Sequence, residues 1–186
     1  MHLSIGNVVA TGLALASTAS AAGINIHNWC NQPIYFYQST NGGCDAGASG
    51  QCHSNPYTVQ PGATLTQLWV NSGSGTSLKL AKDASFQAGI LQFEYARPPD
   101  GLYWDLSDLD GAGAGVVGSP FRDDNVKVSP TGAGAGQGNC TPLRCQGGQT
   151  CRESFQSPDD VNTRWCPADI GDFWIDLCQP DGSFWN

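Results

Sequence analysis

The sequence is organised around the run Gly101-Leu-Tyr-Trp-Asp-Leu-Ser-Asp-Leu-Asp-Gly111. Leucine and tryptophan alternate there with more polar residues, and this period of two predicts a half-buried β-strand. A second strand is predicted just upstream by Leu91-Gln-Phe-Glu-Tyr95. The intervening Arg97-Pro-Pro-Asp-Gly101 has the composition of a turn, so the two strands can pair as a hairpin.

Carboxylates are concentrated in this part of the chain. The run carries Asp105, Asp108 and Asp110, and Glu94 lies eleven positions before Asp105 in the preceding strand. If the strands pair, four acids meet at one end of a sheet and form a candidate site. The alternative is turn chemistry alone, because Asp and Gly are residues that turns favour and Gly111 ends the run.

The composition predicts one small, loop-rich β domain. A chain of 186 residues has room for one domain, and 24 Gly, 11 Pro and 13% charged residues are typical of short strands joined by turns. The net charge of −8 and the scattered Lys and Arg residues exclude nucleic acid and anionic membranes as partners, because both select for clustered positive charge. Neutral or polycationic ligands remain, and we expect no cofactor.

The first 21 residues have the pattern of a secretory signal peptide. Val8 to Ala16 is an apolar run, and Ala19-Ser-Ala21 fits a small-x-small cleavage site. The run is too short to span a bilayer. We therefore expect residues 1–21 to be removed and residues 22–186 to form a single secreted domain, located outside the cell or in the cell wall.

The cysteines predict a disulfide framework. Eight Cys residues follow the expected cleavage site, and an even number in a secreted chain favours disulfides. A metal site is the alternative, but Cys140, Cys145 and Cys151 form no CxxC motif and have no nearby His, so we expect no metal. The sequon Asn139-Cys-Thr141 predicts N-glycosylation of Asn139.

Further strands are predicted along the chain by alternation between turn signals. They cover residues 24–29, 34–38, 64–70, 77–82, 88–95 and 125–129. Regular short strands of this kind favour a β-sandwich or a barrel.

Several motifs together resemble those of the thaumatin-like proteins. They are Tyr103-Trp-Asp-Leu-Ser-Asp-Leu-Asp-Gly111, Val128-Ser-Pro-Thr-Gly132, Cys140-Thr-Pro-Leu-Arg-Cys145 and the spacing of Asp160 nine positions after Cys151. Within that family the chain is most similar to the small fungal secreted branch, described as antigenic thaumatin-like, osmotin-like or yeast-phase-specific proteins. The plant members carry about twice as many cysteines. Only five residues separate Cys145 from Cys151, so the disulfide-rich second domain of those members is absent.

The resemblance implies an all-β fold, an antiparallel β-sandwich stapled by disulfides. It also implies a pairing, which the sequence alone could not choose from 105 possibilities. The implied disulfides are Cys30–Cys178, Cys44–Cys52, Cys140–Cys166 and Cys145–Cys151.

The resemblance further implies an acidic cleft lined by an Arg, a Glu and three Asp. Asp105, Asp110 and Asp160 match the Asp positions, and Glu94 is the only acid available for the Glu position, although Gln92 competes for it in register. No Arg matches. We therefore predict that these four carboxylates bind a ligand and that none is catalytic.

The function we expect is that of a monomeric, non-enzymatic binding or cell-surface protein whose ligand is a polysaccharide such as β-glucan. A weak endo-β-1,3-glucanase using Glu94 with an Asp is the first alternative. An effector or antigen that binds a host protein is the second. Aromatic side chains could supply stacking surfaces for sugars, with core packing as the alternative role. The aromatic residues considered are Tyr35, Tyr37, Trp69, Tyr103 and Trp104.

Overall fold

The computed structural model describes residues 22–40, 56–70, 75–109, 119–168 and 170–186. These residues form two β-sheets and one short helix. The strands are Gly23–Asn28 (β1), Ile34–Thr40 (β2), Tyr57–Val59 (β3), Thr64–Leu68 (β4), Thr76–Ala81 (β5), Leu91–Ala96 (β6), Gly101–Ser107 (β7), Val126–Gly132 (β8), Leu143–Cys145 (β9), Arg164–Pro167 (β10) and Ile170–Leu177 (β11), and the helix is Asp181–Phe184 (α1). No helix in these ranges is long and apolar enough to cross a membrane.

The six-stranded sheet has the order β10-β7-β6-β5-β2-β3, and all its neighbours are antiparallel. At its centre the predicted hairpin is confirmed. Strands β6 and β7 pair with Phe93 opposite Leu106 and Glu94 opposite Asp105. Because side chains alternate between the faces of a strand, this register directs the two apolar residues to one face and the two acids to the other.

The five-stranded sheet has the order β4-β1-β11-β8-β9. It departs from a purely antiparallel sandwich at one place, since β1 and β11 run parallel, with Ile26 opposite Ile175. Most of the chain lies between these two strands in sequence. The last strand therefore returns to pair with the first. The sequence interpretation does not include β11, although Ile170–Leu177 shows the alternating pattern of a strand.

The two sheets pack face to face around one hydrophobic core. In β7, Leu102, Trp104 and Leu106 are fully buried, as the alternation predicts. Trp104 packs edge-on against Phe173 of the opposite sheet, with ring centroids 5.1 Å apart. Phe93 of β6 also contacts Phe173, with ring centroids 5.7 Å apart. Aromatic rings therefore meet across the two sheets at the centre of a core that is otherwise mostly Ile, Leu and Val, and the burial of these side chains is the main favourable free energy.

Three disulfides join described parts of the chain. They are Cys30–Cys178, Cys140–Cys166 and Cys145–Cys151, three of the four pairs that the resemblance implies. The fourth implied pair, Cys44–Cys52, lies outside the described residues. Cys30–Cys178 links the ends of the parallel strands β1 and β11, and it spans 148 positions of sequence. It therefore closes almost the whole domain.

Gly101 is required where β7 begins. A Cβ atom at this position would lie 2.4 Å from the indole nitrogen of Trp165 and 2.5 Å from the carbonyl oxygen of Cys166. Both atoms belong to β10, the strand paired with β7. Because a backbone oxygen cannot move aside as a flexible side chain can, only glycine allows β10 to approach so closely.

Candidate functional site

An open cavity of about 750 Å³ lies on the outer face of the six-stranded sheet. Strands β5, β6 and β7 form its floor, through the residues that alternate with core residues. Leu78, Phe93 and Trp104 point into the core, so their sequence neighbours point outward. Those neighbours are largely polar, which gives the cavity a hydrogen-bonding floor rather than an apolar one.

Glu94 and Asp105 lie side by side on this floor. They are directly opposite each other in the register of β6 and β7, and both line the cavity. Cβ atoms of such cross-strand pairs are about 4.5–5.5 Å apart. Like charges at that distance repel each other, so the pair disfavours having both carboxyls ionised.

The pKa of Asp105 is raised from 3.8 to about 7. The main cause is burial, which disfavours the charged carboxylate, and the negative charge of Glu94 adds to it. A hydrogen bond from Thr163 Oγ1 to Asp105 Oδ2, 3.4 Å long, acts in the opposite direction. Near neutral pH, Asp105 therefore exists as a mixture of carboxylate and carboxylic acid, and the acid form can donate a hydrogen bond.

Gln92 also faces the cavity, two positions before Glu94 on the same strand face. Its Oε1 accepts a hydrogen bond from Ser77 Oγ at 3.0 Å and another from Lys79 Nζ. An ammonium group can only donate, so the amide oxygen must point toward Lys79 and the amide NH₂ away from it. Within the described residues the NH₂ group forms no hydrogen bond, and it is available to a ligand.

Both Gln92 and Glu94 therefore face the cavity. Lys79 was missed by the sequence interpretation, which looked for an Arg. The signal was present in Ser77-Leu-Lys-Leu80, because the strand alternation places Lys79 on the same face as Ser77.

Asp160 does not line this cavity. Its carboxylate accepts hydrogen bonds from the backbone N–H groups of Gln156, at 2.6 Å, and of Ser157, at 3.0 Å. These bonds hold the pKa of Asp160 below its ordinary value. The side chain therefore organises the loop that precedes β10 and is not brought together with Glu94 and Asp105.

The other acids of the central run have separate positions. Asp108 accepts hydrogen bonds from Ser154 Oγ, at 3.0 Å, and from Gln156 Nε2, and it lines a smaller cavity of about 190 Å³. Asp110 lies outside the described residues. The structure thus brings together two of the four predicted site residues, Glu94 and Asp105.

Of the five aromatic candidates, Tyr103 lines the cavity and is 41% exposed. Trp69 and Trp104 belong to the main core and Tyr37 to a smaller buried cluster, so core packing is their role. Among the described residues, no group of three His, Cys, Asp or Glu side chains is arranged to hold a metal ion. Asn139 is exposed, and its occupancy by a glycan stays a prediction.

Comparison with known proteins identifies the family. The family described as "Bys1: Blastomyces yeast-phase-specific protein" matches residues 12–179. The chain belongs to this family. It is 26% identical over 193 residues to an antigenic thaumatin-like protein of Arthroderma benhamiae, covering 98% of this chain and 87% of that one. It is 29% identical over 176 residues to the secreted thaumatin-like protein calA of Emericella nidulans, covering 89% of this chain and 90% of that one.

Solved structures support the fold of this Bys1-family chain. The protein elicitor MoHrip2 from Magnaporthe oryzae superposes with a TM-score of 0.62 at 24% identity, covering 86% of this chain and all of that one. The thaumatin-like xylanase inhibitor TLXI superposes with a TM-score of 0.52 at 12% identity, covering 85% of this chain and all of that one. The resemblance seen in the sequence is therefore confirmed: the chain is a small, secreted fungal thaumatin-like protein.

Proposed function

We propose that this protein binds a neutral polysaccharide, with β-glucan as the ligand, in the cavity of the six-stranded sheet and without cleaving it. The observation that supports the proposal is the arrangement of Gln92, Glu94 and Asp105 on one open face of the sheet, in the paired strands β6 and β7. A carbohydrate ligand presents hydroxyl groups, each of which both donates and accepts hydrogen bonds. A floor that offers both kinds of group matches that chemistry.

The three side chains have different hydrogen-bonding roles. The Gln92 amide NH₂ is a donor, because Ser77 and Lys79 occupy its oxygen. A Glu94 carboxylate accepts hydrogen bonds from sugar hydroxyls, and Asp105 donates one when protonated. The half-exposed ring of Tyr103 adds an apolar surface at the cavity rim, against which the C–H face of a pyranose can pack.

The position of the carboxyls supports binding over hydrolysis. Glycoside hydrolases place two carboxyls on either side of the scissile bond. Glu94 and Asp105 project from adjacent strands of one sheet face, so both reach a bound chain from the side of the sheet. Each can hold a sugar hydroxyl there.

The binding proposal predicts a specific loss of affinity. Titration of laminari-oligosaccharides into the protein, followed by calorimetry, should show binding that Glu94→Gln weakens by about 5- to 150-fold, the equivalent of one polar contact of about 1–3 kcal/mol. Asp160→Asn is the matched control, because it removes one negative charge outside the cavity. Equal losses in the two variants, or no binding by the unmodified protein, would refute the proposal.

Hydrolysis of β-1,3-glucan is a second candidate, and the raised pKa of Asp105 favours it. A carboxyl group with a pKa of about 7 has the property required of a general acid, so Asp105 would be the proton donor and Glu94 the ionised partner. We expect no release of reducing ends from soluble β-1,3-glucan. Turnover that Asp105→Asn reduces by about 10²-fold or more would establish the enzyme instead.

A further inference from the structure

A second candidate surface lies on the outer face of the five-stranded sheet, on the far side of the sandwich from the cavity. Two indole rings are exposed there: Trp29, 43% exposed, directly after β1, and Trp174, 36% exposed, in the adjacent strand β11. We call this surface the tryptophan face and define it by Trp29, Trp174, His27, Asn25 and Asp176. The sequence interpretation considered neither tryptophan as a stacking residue.

The ring of Trp29 is held in one orientation. His27 stacks on one side of it, with ring centroids 4.2 Å apart and planes inclined by 8°. The indole N–H donates to Asp176 Oδ1 at 2.9 Å. The next residue, Cys30, is fixed by the disulfide to Cys178. The indole N–H therefore has a hydrogen-bond partner, and the His27 ring covers one face of the indole. The other face remains as a flat, apolar surface.

Trp174 is the second flat surface. It lies opposite Asn25 in the parallel register of β1 and β11, and its indole makes no hydrogen bond or ring contact with any described residue. Trp29 is four residues beyond Asn25, so the Cα atoms of the two tryptophans are about 13 Å apart along the strand direction, and the Trp29 ring turns back over His27. Asn25, which accepts a hydrogen bond from Thr66 at 2.6 Å, lies beside Trp174, and the row between the two tryptophans holds His27 and Asp176.

The charges of this face select among possible ligands. Strands β4, β1 and β11 contain no Lys or Arg, and the face carries the carboxylate of Asp176. In β8, Lys127 lies opposite Asp176, and its ammonium donates to an oxygen of Asn186, while the Arg144 guanidinium donates to the carbonyl oxygen of Phe184. These two cations are thus engaged by C-terminal residues, and Lys127 is offset by the carboxylate of Asp176, so the face does not attract anionic polymers.

The spacing of the rings distinguishes a carbohydrate from a protein partner. Protein interfaces have a contiguous apolar core, whereas the row between these two tryptophans holds the polar residues His27 and Asp176. A pyranose chain presents apolar C–H faces separated by hydroxyl groups, which matches isolated flat rings with polar groups between them. The Trp29 ring, which His27 and Asp176 hold before binding, also loses little conformational entropy on contact.

From these contacts we infer that the tryptophan face is a second carbohydrate-binding surface, which takes the flat faces of neutral β-linked chains on an insoluble polysaccharide. It goes beyond the cavity proposal, because it uses the opposite sheet and stacking in place of hydrogen bonding. A protein with both sites would contact glucan on two sides of one rigid sandwich.

The test is retention of the purified protein on insoluble β-1,3-glucan particles, measured as a binding isotherm in a Glu94→Gln background. Glu94→Gln weakens the proposed cavity site, so the remaining retention reports the tryptophan face. Trp29→Ala with Trp174→Ala should weaken retention by about tenfold or more, and Trp174→Phe should retain most of it. The matched control is Tyr57→Ala, because Tyr57 is 42% exposed but lies in the other sheet.

Each outcome decides the inference independently of the cavity proposal. If the double variant is misfolded, as judged by its thermal midpoint, Trp174→Ala alone decides, because that ring has no described partner. Unchanged retention in a folded variant overturns the inference, and so does an absence of retention by the unmodified protein. Concentration-dependent dimerisation that Trp174→Ala abolishes, with retention unaffected, would make the face an interface between two copies and would also overturn it.

Discussion

At the scale of single residues, the environment of Asp105 is the feature with the most chemical consequence. Its carboxyl is largely buried beside Glu94, and its Oδ1 is buried with no hydrogen-bond partner among the described residues. Asp160 is the contrasting case, since two backbone N–H groups stabilise its charged form. Two carboxylates that the sequence groups together therefore have pKa values shifted in opposite directions.

The raised pKa of Asp105 predicts a dependence of stability on pH. Its pKa is about 7 in the folded protein and near the ordinary 3.8 in the unfolded chain. Between these values the folded state binds more protons than the unfolded state, so the free energy of unfolding falls as pH rises from about 4 to 7. Asp105→Asn removes this contribution. Urea unfolding of both proteins across that range should show the variant gaining stability relative to the unmodified protein as pH increases.

If the difference in unfolding free energy between the two proteins stays constant with pH, the pKa of Asp105 is not raised in the folded protein. Because the two proteins share every other titratable group, the acids away from Asp105 contribute equally to both, and only Glu94, which lies opposite it, is also affected by the substitution. The amide of Asn is neutral throughout the range, so it mimics the protonated form of Asp105.

The residue scale also shows what sequence can predict about the site. Glu94 and Asp105 were predicted together because a hairpin fixes which residues face each other across two strands. Asp160 was assigned from a family spacing, and spacing does not specify whether a carboxylate points to a cavity or to its own loop. The pairing of Lys79 with Gln92 depends on the register of β5 against β6, which no local pattern fixes.

At the scale of elements, the hairpin β6–β7 was predictable and the strands β9, β10 and β11 were not included in the interpretation. The hairpin combines strong alternation of apolar and polar residues with an adjacent turn. It can therefore be predicted from one short stretch of sequence. Strands β9 and β10 have three and four residues, too few for a period of two to be recognised. The parallel pairing of β1 with β11 depends on contacts between the two ends of the chain.

Gly101→Ala should destabilise the edge of the six-stranded sheet. The new methyl group would overlap the Cys166 carbonyl and the Trp165 ring, so β10 must shift away from β7. We expect a loss of about 1–3 kcal/mol in the free energy of unfolding, as for other overpacked sites. Gly182→Ala is the control, because a Cβ there meets nothing within 4 Å. Equal stabilities of the two variants by urea denaturation would contradict the close approach of the strands.

At the scale of the whole molecule, the domain is a thaumatin-like sandwich closed by a disulfide between its first and last strands. The fold class was predictable from composition and alternation, but the cysteine pairing was not. Eight cysteines leave 105 combinations, and only the family resemblance selected one. The Cys30–Cys178 bond spans 148 positions, whereas Cys145–Cys151 spans six, so their contributions to stability should differ.

Replacing both Cys30 and Cys178 with Ala should destabilise the protein more than replacing Cys145 and Cys151. The loop-entropy relation gives about 5 kcal/mol for the long loop and about 2 kcal/mol for the short one, because a longer loop restricts the unfolded chain more. Thermal unfolding should show a decrease in the midpoint of roughly 10–20 °C for the first variant and about half of that for the second. The opposite order would indicate that strain or unfolded-state structure outweighs loop length.

Binding of β-glucan to the outer face of the six-stranded sheet can be tested directly by NMR. Backbone and side-chain shifts are mapped while a laminari-oligosaccharide is titrated into isotopically labelled protein. We predict that the largest changes occur at Gln92, Glu94, Tyr103 and Asp105, in the strands that form the cavity floor. Changes centred on the smaller cavity around Phe121 instead, with those four residues unaffected, would contradict it.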